Sequence, residues 1–399
     1  MNTSYKSFKK EMQSMLKLIK WGKKHNYYLY MRNLESACGP TVRVGGKEML
    51  MFGSNNYLGL TTHPKVKEAA IAAIKKYGVG SGGVRLLSGT YKLHETMEDE
   101  LAKFKGTEAA VAFSTGFMTN SGVIPKLITE DSVIINDEKN HASIVDGCKA
   151  SGAEIRVFLH NNMEKLKNII SFYPLQRDKL IIVDGVYSMD GDIANLPEIY
   201  KLAKKYRARI MIDEAHATGV LGNKGRGTPE YFNMIGEIDI VMGTLSKALG
   251  GIGGFIASSK EVVTYLKHAT REFIFTTSLP PAISAGVITA IKVIKEEPQL
   301  LKNLWRNIEF IKGGLNKMGY DTGNTQSAVI PVLIKDDIKT YRLARLVHEM
   351  GIFVNPIVFP AVKKNESRIR INMMATHSLS NLERTLESFR KAGKRLGVI

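Results

Sequence analysis

From about residue 48 to residue 258, short apolar runs alternate with longer stretches whose apolar positions recur at helical spacing. The runs cover residues 49–52, 109–113, 133–135, 155–159, 180–183, 210–212, 238–242 and 254–257. Most are continuously apolar rather than alternating, which is how a strand reads when both of its faces are buried. With helical stretches between most of them, the pattern predicts an α/β fold: a mainly parallel sheet covered on both faces by helices. The helix over 64–77 opens on Pro64 and stops before Gly78, and the helix over 93–104 puts Met97, Leu101 and Phe104 on one face.

Past Pro280 the pattern changes. A long helical region runs to about Met318, β-like stretches at 329–334 and 369–373 bracket a helix over 339–350, and a last amphipathic helix covers 379–396. Three parts are expected: a basic N-terminal helix and arm at 1–60, a large domain at 61–290 and a smaller α+β domain at 291–399. Ser278, followed by Pro280 and Pro281, reads as a capping serine with proline in the first helical turn.

Composition narrows the class. At roughly 150 residues per domain, 399 residues allow two or three domains, and 44% hydrophobic with 24% charged residues excludes a disordered or fibrous chain. Two cysteines, Cys38 and Cys148, are too few for a disulfide framework and point to a reducing compartment. No apolar run reaches the length of about 18 residues that a bilayer span needs, and Lys17 and Lys20 interrupt the stretch that could form a signal core, so a cytoplasmic location is expected. The net charge of +18 is scattered over most of the helices rather than drawn into a stripe with aromatic partners, which argues against nucleic acid as a partner. The exception is residues 6–24, where Phe8, Met12, Met15, Leu16 and Ile19 recur at helical spacing among Lys9, Lys10, Lys17, Lys20, Lys23 and Lys24. Such a helix docks on the protein's own surface or on a second subunit, or lies peripherally on an anionic inner membrane face.

In open α/β sheets ligands bind beyond the carboxyl ends of the strands, so the polar residues just after each apolar run are the candidates for chemistry. They are Ser114, Thr115 and Gly116; Asp137 and His141; Asp184 and Ser188; Asp213 and His216; and Thr244, Ser246 and Lys247. A hydroxyl-rich turn, an acid, a histidine and a lysine at successive strand ends is the set that an aldehyde cofactor with a phosphate tail requires. The lysine bonds the aldehyde, the acid holds a pyridinium proton, and a helix N-terminus takes the phosphate. Lys247 lies among Gly243, Gly250, Gly251, Gly253 and Gly254, where backbone must come close to something. Asp213, Glu214 and His216 lack the further ligands and spacing of a metal site, and no metal is expected. Gly78, Gly80, Gly82 and Gly83 fit neither a dinucleotide fingerprint nor a Walker loop. His94 and Glu98 share one helix face and read as structural.

The runs GSNNYLGL (53–60), FSTGF (113–117), NHASIVDG (140–147), SMDGD (188–192), DEAHATGVLG (213–222) and GTLSKALGG (243–251) together resemble the α-oxoamine synthases. These fold-type I pyridoxal-phosphate enzymes condense an amino acid with an acyl thioester and release carbon dioxide. The resemblance covers the chain from about residue 28 onward. It implies Lys247 as the lysine that bonds pyridoxal 5'-phosphate, Asp213 as partner of the pyridine nitrogen, His216 as partner of the ring hydroxyl, and His141 stacked on the ring. The backbone at Gly116 and Phe117 with Thr244 would hold the phosphate, Ser188 would lie beside the ring, and Ser114, Thr115 and Ser246 would also bind the cofactor. Thr276 and Thr277 would reach the phosphate of the other subunit, which implies a homodimer with shared active sites. Asn55, Ser81 and Arg370 are implied on the substrate side, with the Arg370 fork suited to a carboxylate.

Within the family, residues 49–64, HNNMEKL (160–166) and residues 351–377 are most similar to bacterial serine palmitoyltransferases. The expected reaction is therefore condensation of L-serine with a long-chain acyl-CoA, giving 3-ketosphinganine, CoA and carbon dioxide. The DEAHATGVLG and SKALGG runs look closer to 2-amino-3-ketobutyrate CoA ligase and 8-amino-7-oxononanoate synthase, so glycine with acetyl-CoA and alanine with a pimeloyl thioester are the alternatives. Cysteate as the amino acid, a silent partner subunit and a lipid-binding module stay open beside them.

Overall fold

The computed structural model describes residues 6–399. The helix Lys6–Lys24 carries Phe8, Met12, Met15 and Leu16 exposed along its length. Its apolar stripe is thus not docked on the body of its own chain, which removes one of the readings expected for it. It is followed by a hairpin of β1 (Thr41–Val44) and β2 (Lys47–Met51), whose register places Val44 opposite Lys47 across a two-residue turn. Gly45 and Gly46, at φ 58° and 72°, supply the two consecutive left-handed residues that such a tight turn demands.

Seven strands form the central sheet: β3 (Ala109–Phe113), β4 (Val133–Asp137), β5 (Glu154–Phe158), β6 (Lys179–Asp184), β7 (Arg209–Asp213), β8 (Ile240–Thr244) and β9 (Gly254–Ser258). Their spatial order is β3-β9-β8-β7-β6-β4-β5, with β9 antiparallel to both neighbours and the other pairs parallel. Alternate residues of one strand enter two different cores. Ile181, Val183, Ile210, Ile212 and Val241 pack on one side, and Leu180, Ile182, Met211, Ile240 and Met242 on the other. Each fully buried Ile, Leu, Val or Met stabilises by roughly 1.5–3 kcal/mol relative to exposure, so both faces of the sheet are pinned by helices as the continuous apolar runs predict. The run at 49–52 is the exception: β2 pairs with β1 and with the short strand β11 (Ile352–Phe353) of the C-terminal part, not with the central sheet.

The C-terminal part adds an antiparallel sheet in the order β10-β13-β12, made of β10 (Val329–Leu333), β12 (Asn355–Ile357) and β13 (Arg368–Asn372), with the helices Asp337–Glu349 and Leu379–Leu396. The long helix expected after Pro280 is two helices, Pro281–Glu296 and Gln299–Lys317, interrupted at Pro298. The first packs on Pro64–Tyr77 and Lys92–Lys105 and runs through residue 290. Ser278 does not cap this helix. Its hydroxyl donates to the Gly83 carbonyl, 3.0 Å away, and Pro280 is the residue at the cap.

Topology places the chemistry. Asp137, Asp184, Asp213 and Thr244 end the four adjacent strands β4, β6, β7 and β8, so apolar strands deliver a row of polar groups to one edge of the sheet. The chain moves outward from β4 to β5 and then returns to the other side of β4, which makes this edge a point where the winding reverses and a crevice opens.

Candidate active site

Thr115 caps the helix Gly116–Leu127 by accepting the Met118 N–H at 3.1 Å, directly after β3. The free N–H groups of this 12-residue helix give the crevice an anion-binding end. A Cβ on Gly254 would stand 2.7 Å from the Gly116 Cα, so the helix start can lie this close to β9 only with glycine at 254, while one on Gly116 would press on Thr244 Oγ1 at 3.2 Å. Thr244 Oγ1 donates to the Gly253 carbonyl at 2.9 Å, which leaves the Ser246 hydroxyl to donate to Thr244 at 2.8 Å.

Asp213 is buried at the end of β7 and accepts two hydrogen bonds, from Asn120 Nδ2 at 2.8 Å and from the Ala215 N–H at 2.9 Å. Asn120 also donates to Ser143 Oγ at 3.0 Å, and Ser143 contacts His141 Nδ1 at 2.8 Å. A single polar chain therefore runs from the exposed His141 ring to the buried acid. In the next strand Asp184 Oδ1 is buried with no partner, and burial, with Asp213 beside it, pushes its carboxyl well above the usual range.

Lys247 Nζ makes no hydrogen bond or ion pair among the described residues. Desolvation draws its amine down to about 8, with Arg370 acting the same way and Asp213 and Asp184 opposing. His216 is buried and hydrogen-bonded through Nδ1 to Tyr57 Oη at 2.6 Å, and burial first, then Lys247 and Arg370, hold its ring neutral. Arg370 donates to the Ser188 carbonyl at 3.1 Å and to Asn55 Oδ1 at 3.4 Å, while its Nε is buried with no partner.

A cavity of about 380 Å³ collects most of these groups, while Arg370 lies outside its lining. Its lining includes Thr115, Gly116, Phe117, His141, Asp184, Asp213, His216, Thr244, Ser246 and Lys247. A larger cavity of about 730 Å³ lies between the N-terminal arm and the C-terminal helices and contains none of them, so size does not locate the chemistry. An amine without a partner, an acid held by two donors and a helix N-terminus around one cavity fit an aldehyde-bearing pyridine with a phosphate tail. Among the described residues no group of three or more His, Cys, Asp or Glu is placed to hold a metal ion.

Not every residue expected at the site reaches this cavity. Ser114 donates its hydroxyl to the Thr277 carbonyl at 3.0 Å and, with Thr276 and Thr277, lines a separate narrow cleft beside Arg85. Ser81 is buried and hydrogen-bonds the Gly83 and Ser278 carbonyls. Ser188 contributes its carbonyl to Arg370 from outside the cavity wall, and Asn55 also sits behind Arg370, where it accepts from Asn372 Nδ2 at 3.0 Å. His94 and Glu98 are structural: His94 bonds the Leu279 carbonyl, and Glu98 is buried between Arg85 and Lys267. One group escaped the sequence reading, Asn120 as the partner of Asp213, while Asp184, a candidate at its strand end, stands in the wall as a second acid. Asp184 carried a signal, as a lone acid closing an apolar strand.

Residues 47–389 match the class I and II aminotransferase family. The chain is 46% identical over 378 residues to an 8-amino-7-oxononanoate synthase of Thermoanaerobacter pseudethanolicus, covering 94% of this chain and 96% of that one. It is 40% identical over 385 residues to a serine palmitoyltransferase of Sphingobacterium spiritivorum, covering 96% of each. Among solved structures, a serine palmitoyltransferase of Sphingomonas wittichii superposes with a TM-score of 0.93 at 35% identity, over 100% of this chain and 99% of the other.

Proposed function

We propose, for a chain that belongs to the pyridoxal-phosphate-dependent α-oxoamine synthases, that it condenses L-alanine with a pimeloyl thioester to give 8-amino-7-oxononanoate, carbon dioxide and the free thiol. The observation that carries this choice is the 46% identity to an 8-amino-7-oxononanoate synthase over nearly the full length of both chains. It replaces the serine and long-chain acyl-CoA expected from the motifs. Serine with palmitoyl-CoA is the second reading, supported by the superposition on a serine palmitoyltransferase at a TM-score of 0.93.

Bound pyridoxal phosphate supplies an electron sink for negative charge at the amino-acid Cα. Asp213, fixed by Asn120 and Ala215, would keep a proton on the pyridine nitrogen, and His216, braced by Tyr57, would hold the ring hydroxyl. Lys247 takes the α-proton: an amine drawn down to about 8 is close to the operating pH, where a general base is most effective. Arg370, with Nε unpaired, receives the amino-acid carboxylate, and His141, exposed in the cavity lining, would stack on the cofactor ring. The helix start at residues 116–118 takes the phosphate.

A second copy of the chain completes this site in the proposal. Thr276 and Thr277 line a cleft separate from the cavity of their own chain; Phe275 next to them is 73% exposed, and Val79 and Leu87, 80% and 85% exposed, flank Val84, which bridges to Thr277. Apolar exposure of that degree is what a subunit interface covers. The test is a matrix of alanine, serine and glycine against pimeloyl-, palmitoyl- and acetyl-CoA, read by thiol release. Turnover confined to alanine with the pimeloyl thioester is expected; turnover confined to serine with palmitoyl-CoA overturns it in favour of the second reading.

A further inference from the structure

Outside the cavity wall, His160 occupies the turn after β5 with both ring nitrogens on carboxylates. Nδ1 lies 3.0 Å from Asp137 Oδ1 and Nε2 lies 2.7 Å from Asp192 Oδ2. Two acceptor-only partners require a proton on each nitrogen, so the ring is an imidazolium. Its edge meets the Tyr187 ring at 4.3 Å and 84°. Asn161 repeats the connection: its backbone N–H donates to Asp137 Oδ2 at 2.9 Å, and its side chain donates to Asp192 Oδ2 at 3.2 Å and to the Ile193 carbonyl at 2.9 Å. The end of β4 and the base of the loop 186–193 are therefore tied together through one turn.

The tip of that loop holds two arginines of β13. Ser188 O accepts from Arg370, Met189 O accepts from Arg368 at 3.1 Å, and the Asp190 carboxylate pairs with Arg368 at 2.7 Å. Gln326 donates its N–H to the Gly191 carbonyl at 3.0 Å. The loop is a bridge from the central sheet to the C-terminal part, and His160 anchors its base. We propose that His160 is a positioning residue for the amino-acid substrate: as an imidazolium between Asp137 and Asp192 it fixes the loop 186–193, and through the Ser188 carbonyl it sets the direction of the Arg370 guanidinium. The inference rests on the reading of Arg370 as the carboxylate receptor.

Around His160 the titratable and charged groups are Asp137, Glu138 and Lys139 from the turn after β4, and Asp184, Tyr187, Asp190 and Asp192 from β6 and its loop. Burial lowers the imidazole's affinity for its second proton, but the bonds to Asp137 and Asp192 outweigh it and carry the group up to about 9. A folded-state value raised above the unfolded one means the clamp is complete below the unfolded value and is lost as pH rises through about 9. One of the two bonds then has no proton.

The experiment measures KM for the amino acid and for the acyl thioester on cofactor-loaded enzyme, on both sides of pH 9. His160→Gln is expected to raise the amino-acid KM roughly 10- to 100-fold, with the thioester KM unmoved, because a guanidinium displaced by a fraction of an ångström misaligns the carboxylate. In the wild type the amino-acid KM should climb above pH 9, and in His160→Gln that climb should be gone. Asp192→Asn, which keeps the shape but removes one charge, should move the climb to lower pH and serves if His160→Gln does not fold. An unchanged amino-acid KM in His160→Gln, or an unmoved climb in Asp192→Asn, overturns the proposal. Arg370→Lys separates the two layers: if it raises the amino-acid KM and His160→Gln does not, only the role of His160 falls. If Arg370→Lys leaves that KM alone, the reading of Arg370 falls and the proposal with it.

Discussion

Lys105 and Lys247 stand beside the neighbouring acids Glu214 and Asp213, and burial depresses the pKa of both. Their surroundings differ. Lys105 is 5% exposed and has three acceptors, Thr218 Oγ1 at 2.7 Å, the Arg226 carbonyl at 2.6 Å and Glu214 Oε2 at 3.4 Å. Three donors meet three acceptors, and nothing is left over for a ligand. Lys247 has none, although a cavity opens beside it and Asp213 adds only field. The neighbours Asp213 and Glu214 repeat the contrast: Glu214 points into the Lys105 pair and takes the Thr228 N–H, while Asp213 points into the cavity. A depressed amine therefore does not mark chemistry by itself. A depressed amine without a partner, facing a cavity, does.

The contrast can be broken at its most sensitive point. Lys247→Ala should fold normally and lose turnover by about 10⁴-fold or more, since general-base function and cofactor attachment both disappear. Thiol release together with loss of the visible absorbance of the bound cofactor checks this, and retained turnover contradicts it. Asp213→Asn comes next, with a loss on the order of 10²-fold in hydrogen exchange at the amino-acid Cα and little change in melting temperature. The same substitution sharpens the electrostatics. Asp213 raises the Lys247 pKa, so the rate at which cofactor-free protein captures pyridoxal phosphate, rising with pH through about 8 in the wild type, should shift to lower pH in the variant.

Lys105→Met has the smallest effect on chemistry and the largest on folding. It leaves the Glu214 carboxylate buried without its cation, which costs about 3–5 kcal/mol, whereas kcat of the folded fraction should stay near wild type. Adding Glu214→Gln should restore much of the melting temperature because no unpaired charge remains. If Lys105→Met instead abolished kcat at full stability, the two lysines would have to exchange roles.

The reason one lysine could be found from sequence and the other could not lies in range. Strand ends are local: Asp213, Thr244 and Lys247 sit just past apolar runs, and six ordered motifs give them their roles. The sheet was equally legible, because strands buried on both faces are apolar without interruption. What the sequence could not carry are contacts between distant elements. Asn120 lies inside the helix Gly116–Leu127, in no stretch singled out from the sequence, yet it is 1% exposed and bonds Asp213 93 positions away. Ser114 lies in a family motif and Ser81 is implied by the same resemblance, but their hydroxyls bond loop carbonyls outside the cavity. The run at 49–52 looks like another strand of the central sheet, and only its pairing with β11, about 300 residues on, removes it from that sheet.

One measurement reaches the centre of this comparison. Cofactor-loaded protein is reduced with borohydride, which locks pyridoxal phosphate onto the lysine that carries it, then digested and sequenced by mass spectrometry. The account predicts the pyridoxyl mass on Lys247 alone, with Lys105 unmodified. A pyridoxyl mass on any other lysine, with Lys247 free, would contradict it.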